Sequence, residues 1–465
     1  MGDTTGRGAE LGAGHGAELG AELVAAVRAG DADGVRRLLD NGADPNTPTD
    51  NGLPVLCLAV EAYDAPVAGA LVGAGADQDR ELPDGTTPLL RAIEGGSYAV
   101  FSAVEGRDPG LRLRGPAADR ALATARSWYE KCRAAPGGRV RVPDGESGYT
   151  DELTLDGRTV RDGHGAILTE LEWALRILTP VADLAARGAA HADPEHVDWW
   201  LAVFVLGAQR RSRETWSAVA ALRYHPDPAH RRFAADVLRC TTLLRGSGMH
   251  AYDKETNALF AAWATEETDG QVLADVLRAW AGEHEHPDMA ATGLRYADHP
   301  HPAVRAAVPD CLEAGPLEPA GRAALLVLSR DEDAEVRRGA CGVLGRSHDG
   351  SAAGRAALLA LARDPDAAVR WGAAVGLADS DDRAPEVADA LAALTGEEKQ
   401  LVRVAAAYGL LRRDDPRTAD AYERVGPYTA ELEHDDRWSR LWNWNRQRTQ
   451  APAAASADTS AAAEE

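Results

Sequence analysis

A Val-Arg pair that returns every 33 residues, at Val336-Arg337, Val369-Arg370 and Val402-Arg403, constrains this chain more than any other feature. Counting from each Arg, the third residue is Ala340, Ala373 or Ala406, the fourth is Cys341, Ala374 or Ala407, and the seventh is Leu344, Leu377 or Leu410. Positions three, four and seven share one helix face, so each unit carries a seam of two small residues and one large one. A second apolar pattern precedes each pair: Ala323 to Leu328, Ala356 to Leu361 and Val387 to Leu394. Such a helical hairpin cannot bury its apolar face alone and must stack on its neighbours. The expected fold class is therefore all-α, a repeat solenoid. This is the architecture of a binding scaffold, and it leaves open what is bound.

Composition narrows the function classes. The 465 residues carry a formal charge of -23, room for two or three ordinary domains or for one solenoid, which escapes the usual size limit of a single core. Strong acidity argues against a broad phosphate-contacting face, so nucleic acid is not an expected partner. Trp199 to Ala208, the longest apolar run, is about half of a membrane span, and the chain does not open with a basic stretch followed by an apolar run. No membrane is expected. Cys57, Cys132, Cys240, Cys311 and Cys341 lack paired spacing and sit mostly in apolar helical patterns. They read as buried free thiols in a reducing cytoplasm. Lysine is confined to Lys131, Lys254 and Lys399, an arginine bias that reads as a GC-rich bacterial source.

Near the start, Gly42-Ala43-Asp44-Pro45-Asn46 returns as Gly75-Ala76-Asp77-Gln78-Asp79, and Asp50-Asn51-Gly52-Leu53-Pro54 is echoed by Asp84-Gly85-Thr86-Thr87-Pro88. At these residues the segment resembles ankyrin repeats: Gly supplies the positive-φ turn after a second helix, and Thr-Pro opens a first helix. Two units follow a capping unit, and Pro116 to Ala135 reads as a degenerate further one. The family's His after Thr-Pro-Leu is replaced by Leu90 in one unit, with Cys57 near that place in the other.

Periodicity then fades from Pro136 to Gly165, where Asp156-Gly157 signals a two-residue hairpin. Helical hairpins resume at about Thr215, with Asp227-Pro228, His301-Pro302, Asp333 and Asp364-Pro365 before the second helices. These residues resemble HEAT repeats of the phycobilin-lyase type. The expected organisation is a disordered segment at 1–20, an ankyrin block at 21–135, a loop, hairpin and helical joint at 136–214, a HEAT solenoid at 215–448 and a disordered tail at 449–465. Trp438, Trp442 and Trp444 are expected to close the last repeat.

The resemblance implies a scaffold or adaptor that holds a protein or peptide. Exposed hairpin tips are the usual contact sites of ankyrin arrays, and here they are acidic, with Asp44, Asp50, Asp77, Asp79, Glu81 and Asp84 beside the neutral Asn46 as the candidate contact residues. A basic partner segment fits them. Arg305, Arg337, Arg370 and Arg403 recur at one repeat position and form a row. Asp333 and Asp366 stand within four residues of their own arginines, and an acidic group of the next unit is within reach as well, so the row reads as a structural ladder rather than a phosphate- or carboxylate-binding stripe.

Other proteins put chemistry on HEAT scaffolds, and the residues present bear on three such alternatives. Iron hydroxylases such as deoxyhypusine hydroxylase use several His-Glu pairs, whereas His284-Glu285 is the single one here and reads as a surface loop. HEAT-like DNA glycosylases read a base with aromatics, for which Trp263, Trp280 and Trp371 are candidates by type, although aromatics on helical faces are more often core. Bilin lyases share the scaffold alone. With no phosphate loop, Cys-x-x-Cys or serine elbow, no catalytic residue, metal or cofactor is expected.

Overall fold

The computed structural model describes residues 5–106, 113–145, 148–155, 157–243, 252–283, 286–313, 317–346 and 351–461. The fold is a helical repeat solenoid with little sheet. It divides into two compact units, Met1–Leu244 and Arg245–Glu465.

The first unit opens with three helix pairs: α1 (Thr5–Ala29) with α2 (Ala32–Asp40), α3 (Val55–Glu61) with α4 (Ala65–Gly73), and α5 (Pro88–Gly95) with α6 (Tyr98–Glu105). Their starts follow from capping chemistry: the side chains of Asp31, Asp64, Thr87 and Ser97 accept hydrogen bonds from Gly34, Val67, Leu90 and Val100 N–H, satisfying donors that a helix start leaves open. Gly42 and Gly75 take φ of +94° and +98°, a conformation costly for any residue with a Cβ. The turn they make drops Ala43 and Ala76 into the core. Leu56, Val67, Leu71, Ile93 and Phe101 lie in one apolar cluster that continues through Leu122 into Ile167, Leu168 and Leu171.

Beyond the pairs, Pro116 to Ala135 departs from the degenerate repeat expected there, because α7 (Pro116–Ala134) is one unbroken helix. It contains no Gly or Pro after its first residue to make a hairpin turn. A three-stranded antiparallel sheet follows, in the order β1 (Val140–Pro143), β2 (Tyr149–Leu155), β3 (Arg158–Arg161). The predicted hairpin is β2 with β3, pairing Leu155 with Arg158; Asp156 of its turn lies outside the described residues, and Gly157 has φ +76°. Leu153 and Val160 pack on Trp128 and Cys132 of α7. The unit ends with α8 (His164–Ala174), α9 (Val181–Gly188), α10 (Val197–Phe204), α11 (Arg213–Ala221) and α12 (Pro228–Leu243).

The second unit contains α13 (Asp253–Glu266), α14 (Gly270–Glu283), α15 (Met289–Arg295), α16 (Pro302–Glu313), α17 (Pro319–Leu328), α18 (Ala334–Arg346), α19 (Ala352–Leu361), α20 (Ala367–Asp379), α21 (Pro385–Leu394), α22 (Gln400–Leu411), α23 (Thr418–Val425) and α24 (Asp436–Ala461). One apolar cluster runs from Val308 to Leu441, and Leu344, Leu377 and Leu410 are all buried in it. Small residues let successive inner helices approach closely: a Cβ on Gly345 of α18 would sit 2.3 Å from the Gly376 Cα of α20. At the end, Trp438 stacks on Tyr422 with ring centroids 5.9 Å apart. Trp442 is exposed, and Leu441 supplies the burial on that helix.

Candidate functional site

Three arrangements of polar residues stand out: the hairpin tips, the arginine row and a buried cluster after the third helix pair. At the tips, Asp44 and Asp77 occupy equivalent turns. Each accepts the N–H two residues on, Asn46 at 2.9 Å and Asp79 at 3.0 Å, the bond that makes Asp a turn former. Asn46 joins the turns, accepting the Asp77 N–H at 2.8 Å and donating to the Gly75 carbonyl at 3.3 Å. Asp84 accepts the Thr86 N–H and hydroxyl and pairs with Arg91 at 2.9 Å. The Thr86 bonds, aided by Arg91, hold its carboxyl down to about 2. Asp50 pairs with Arg28 at 2.9 Å. Asp79 and Glu81 project at the tip as exposed side chains. The structure thus brings the seven residues onto adjoining loops and uses Asp44, Asn46, Asp77 and Asp84 to shape them.

In the arginine row, three guanidinium groups meet an acid of the following unit: Arg305 with Asp331 at 2.7 and 2.8 Å, Arg337 with Asp364 at 2.8 and 2.9 Å, Arg370 with Glu397 at 3.0 and 2.8 Å. The remaining amino group donates back to two turn carbonyls; for Arg337 these belong to Asp331 and Glu332, at 2.9 and 3.0 Å. Four of the five N–H donors of a guanidinium are thereby used, leaving little for a ligand. Asp333 and Asp366 serve elsewhere, accepting backbone N–H groups at the starts of α18 and α20. Arg403 ends the row on the carbonyls of Glu397, Glu398 and Val425.

The buried cluster escaped the sequence reading. Cys132 comes from α7, Asp151 from β2, Asp162 from the turn after β3, His164 from the first position of α8, and Asp198 from α10. His191 and His196 lie between α9 and α10. Cys132 Sγ is 3.5 Å from His164 Nδ1. His191 Nε2 is 3.8 Å from Asp162 Oδ2 and 3.6 Å from Asp198 Oδ2, and its Nδ1 is 3.6 Å from Asp151 Oδ2. Arg139 bonds both Asp162 and, at 2.7 Å, the Cys132 carbonyl. Burial, with Asp198 alongside, pushes the Asp162 carboxyl up to about 6, while burial holds the His164 imidazole down to about 4.

The candidates for other chemistry are placed as follows. Trp263 and Trp280 are core residues whose indole N–H groups bond Glu267 and Asn257, so neither is a platform for a base. Trp371 is half-buried. His284 and Glu285 lie outside the described residues. Among the described residues, no helix is long and apolar enough to cross a membrane.

Comparison with known proteins places family matches on two parts of the chain. Residues 23–106 match the family model for ankyrin repeats (3 copies), and residues 321–421 match that for HEAT repeats. Residues 107–320 lie outside both. No curated protein matches significantly in sequence. Among solved structures, the X-ray structure of YibA from Escherichia coli aligns at 14% identity and a TM-score of 0.39, over 55% of this chain and 96% of that one. The chain carries ankyrin repeats and HEAT repeats.

Proposed function

We propose that this chain, an interaction scaffold by virtue of its two kinds of repeat, holds a basic segment of a partner protein on the acidic edge of its ankyrin hairpins. The observation that carries this reading is the bonding of Asn46 across to Gly75 and Asp77, which sets two successive loops in register with Asp44, Asp77, Asp79 and Glu81 exposed. A preformed edge of carboxylates loses little ordering entropy on binding and steers a cationic partner toward it. The arginine row has a structural part in this scheme, because its donors are spent on its own turns and on the next unit. Five free cysteines, most of them buried, support a reducing cytoplasm as the working compartment.

The test is kinetic. With a Lys/Arg-rich segment of the partner, the association rate is expected to fall as salt shortens the screening length below about 8 Å. Changing Asp79→Asn and Glu81→Gln together should slow association and flatten that salt dependence in the folded protein. A rate indifferent to both salt and substitution would leave the acidity with solubility as its role.

A further inference from the structure

We propose that Cys132, Asp162 and His164 form a structural zinc site in the first unit. The donor atoms of Cys132, Asp162 and His164 lie within 4.8 Å of one another, and all three residues are buried. Zinc holds thiolate at about 2.3 Å and imidazole at about 2.0 Å, which in a tetrahedron separates sulfur from nitrogen by about 3.5 Å. That matches the 3.5 Å between Cys132 Sγ and His164 Nδ1.

Charge supplies a second argument. Asp151, Asp162 and Asp198 bring three carboxylates together, and the ion pairs that meet them come from Arg139 and His191. Asp198 is fully buried, and its Oδ2 has no hydrogen-bond partner. A divalent cation offsets such a deficit where water is excluded.

The backbone is also cut to fit these side chains. A Cβ on Gly165 would stand 2.2 Å from Asp198 Oδ2, and one on Gly96 would stand 2.3 Å from the His164 ring, so glycine alone leaves room for both groups. Arg139 grips Asp162 and the Cys132 carbonyl together, the outer support that orients ligands in metal sites. The ligands come from α7, the turn after β3 and the first position of α8, so the ion would pin the edge of the sheet to these two helices. Complete burial excludes substrate, which makes the site structural rather than catalytic.

The full chain, stripped with chelator and reloaded with zinc chloride, should retain one zinc after dialysis and melt at a higher temperature. X-ray absorption at the zinc edge should show one sulfur in a shell otherwise of nitrogen and oxygen. Cys132→Ser should lose the zinc, while Cys240→Ser should keep it. Should Cys132→Ser fail to fold, the wild type decides: in mild urea, zinc should protect Cys132 from alkylation and leave Cys57 reactive. No retained zinc, a shell without sulfur, zinc kept by folded Cys132→Ser, or no protection of Cys132 would each overturn the assignment.

Discussion

Leu377→Ala is expected to cost about 2 to 5 kcal/mol of stability, the range for truncating a buried leucine. Leu377 is only 1% exposed on α20 and lies in the same cluster as Leu344 and Leu410 of the units on either side. The gap left by truncation cannot close easily, because α18 and α20 already meet backbone to backbone at Gly345 and Gly376. In a stacked array the loss spreads, since each unit is held mainly by its neighbours. Urea unfolding followed by circular dichroism measures the effect. A cost below about half a kilocalorie is what a surface position gives and would refute the repeat register.

Arg337→Ala is expected to cost about 2 to 4 kcal/mol, more than a surface ion pair is worth. The substitution removes the guanidinium from the Asp364 carboxylate, whose side chain is 8% exposed, leaving it the Asp366 N–H, and removes the donor to the Asp331 and Glu332 carbonyls. Arg337→Lys should recover only part of this, because an ammonium cannot make the two parallel bonds of the guanidinium. The loss should depend on pH. Burial pushes the Asp364 carboxyl up, but the Arg337 hydrogen bonds, the Asp366 N–H and the charges of Arg337 and Arg370 together outweigh it, and its pKa is lowered on balance. A lowered carboxylate pKa stabilises the fold fully above the unfolded value of about 4, and the effect is lost as pH falls through the folded value. The gap between wild type and Arg337→Ala should therefore narrow in acid. Unchanged stability with lost partner binding would instead make the row a ligand stripe.

Much of the fold was legible because repetition writes the same physical demand several times. The Ala, Ala, Leu seam and the Gly-Ala-Asp turns needed no tertiary knowledge. The true partners of the arginines were harder to see. Asp333 and Asp366 are nearer in sequence, but an aspartate just before a helix is taken up by backbone N–H groups, which leaves the guanidinium to Asp331, Asp364 and Glu397. The cluster of Cys132, Asp162, His164, His191 and Asp198 was invisible for a different reason. Its members are spread over five elements and their connections with no ligand spacing, and the packing of α7 on the sheet and α8, with α10 on α8, brings them together. Cys132 is indeed a buried free thiol; its neighbours could not be read from its position. Strand β1 was missed because Pro136-Gly137-Gly138 masks the short Val140–Pro143 segment.

Docking of a basic partner on the acidic ankyrin edge can be tested by zero-length carbodiimide cross-linking of the full chain in an extract of its own cells. This couples carboxylates to lysine amines in contact, and the joined peptides are mapped by mass spectrometry. Cross-links are expected from Asp44, Asp77, Asp79 or Glu81 to lysines of one recurring partner, lost when Asp79→Asn and Glu81→Gln are combined. Cross-links to a partner that avoid these loops and survive the double substitution would contradict this docking.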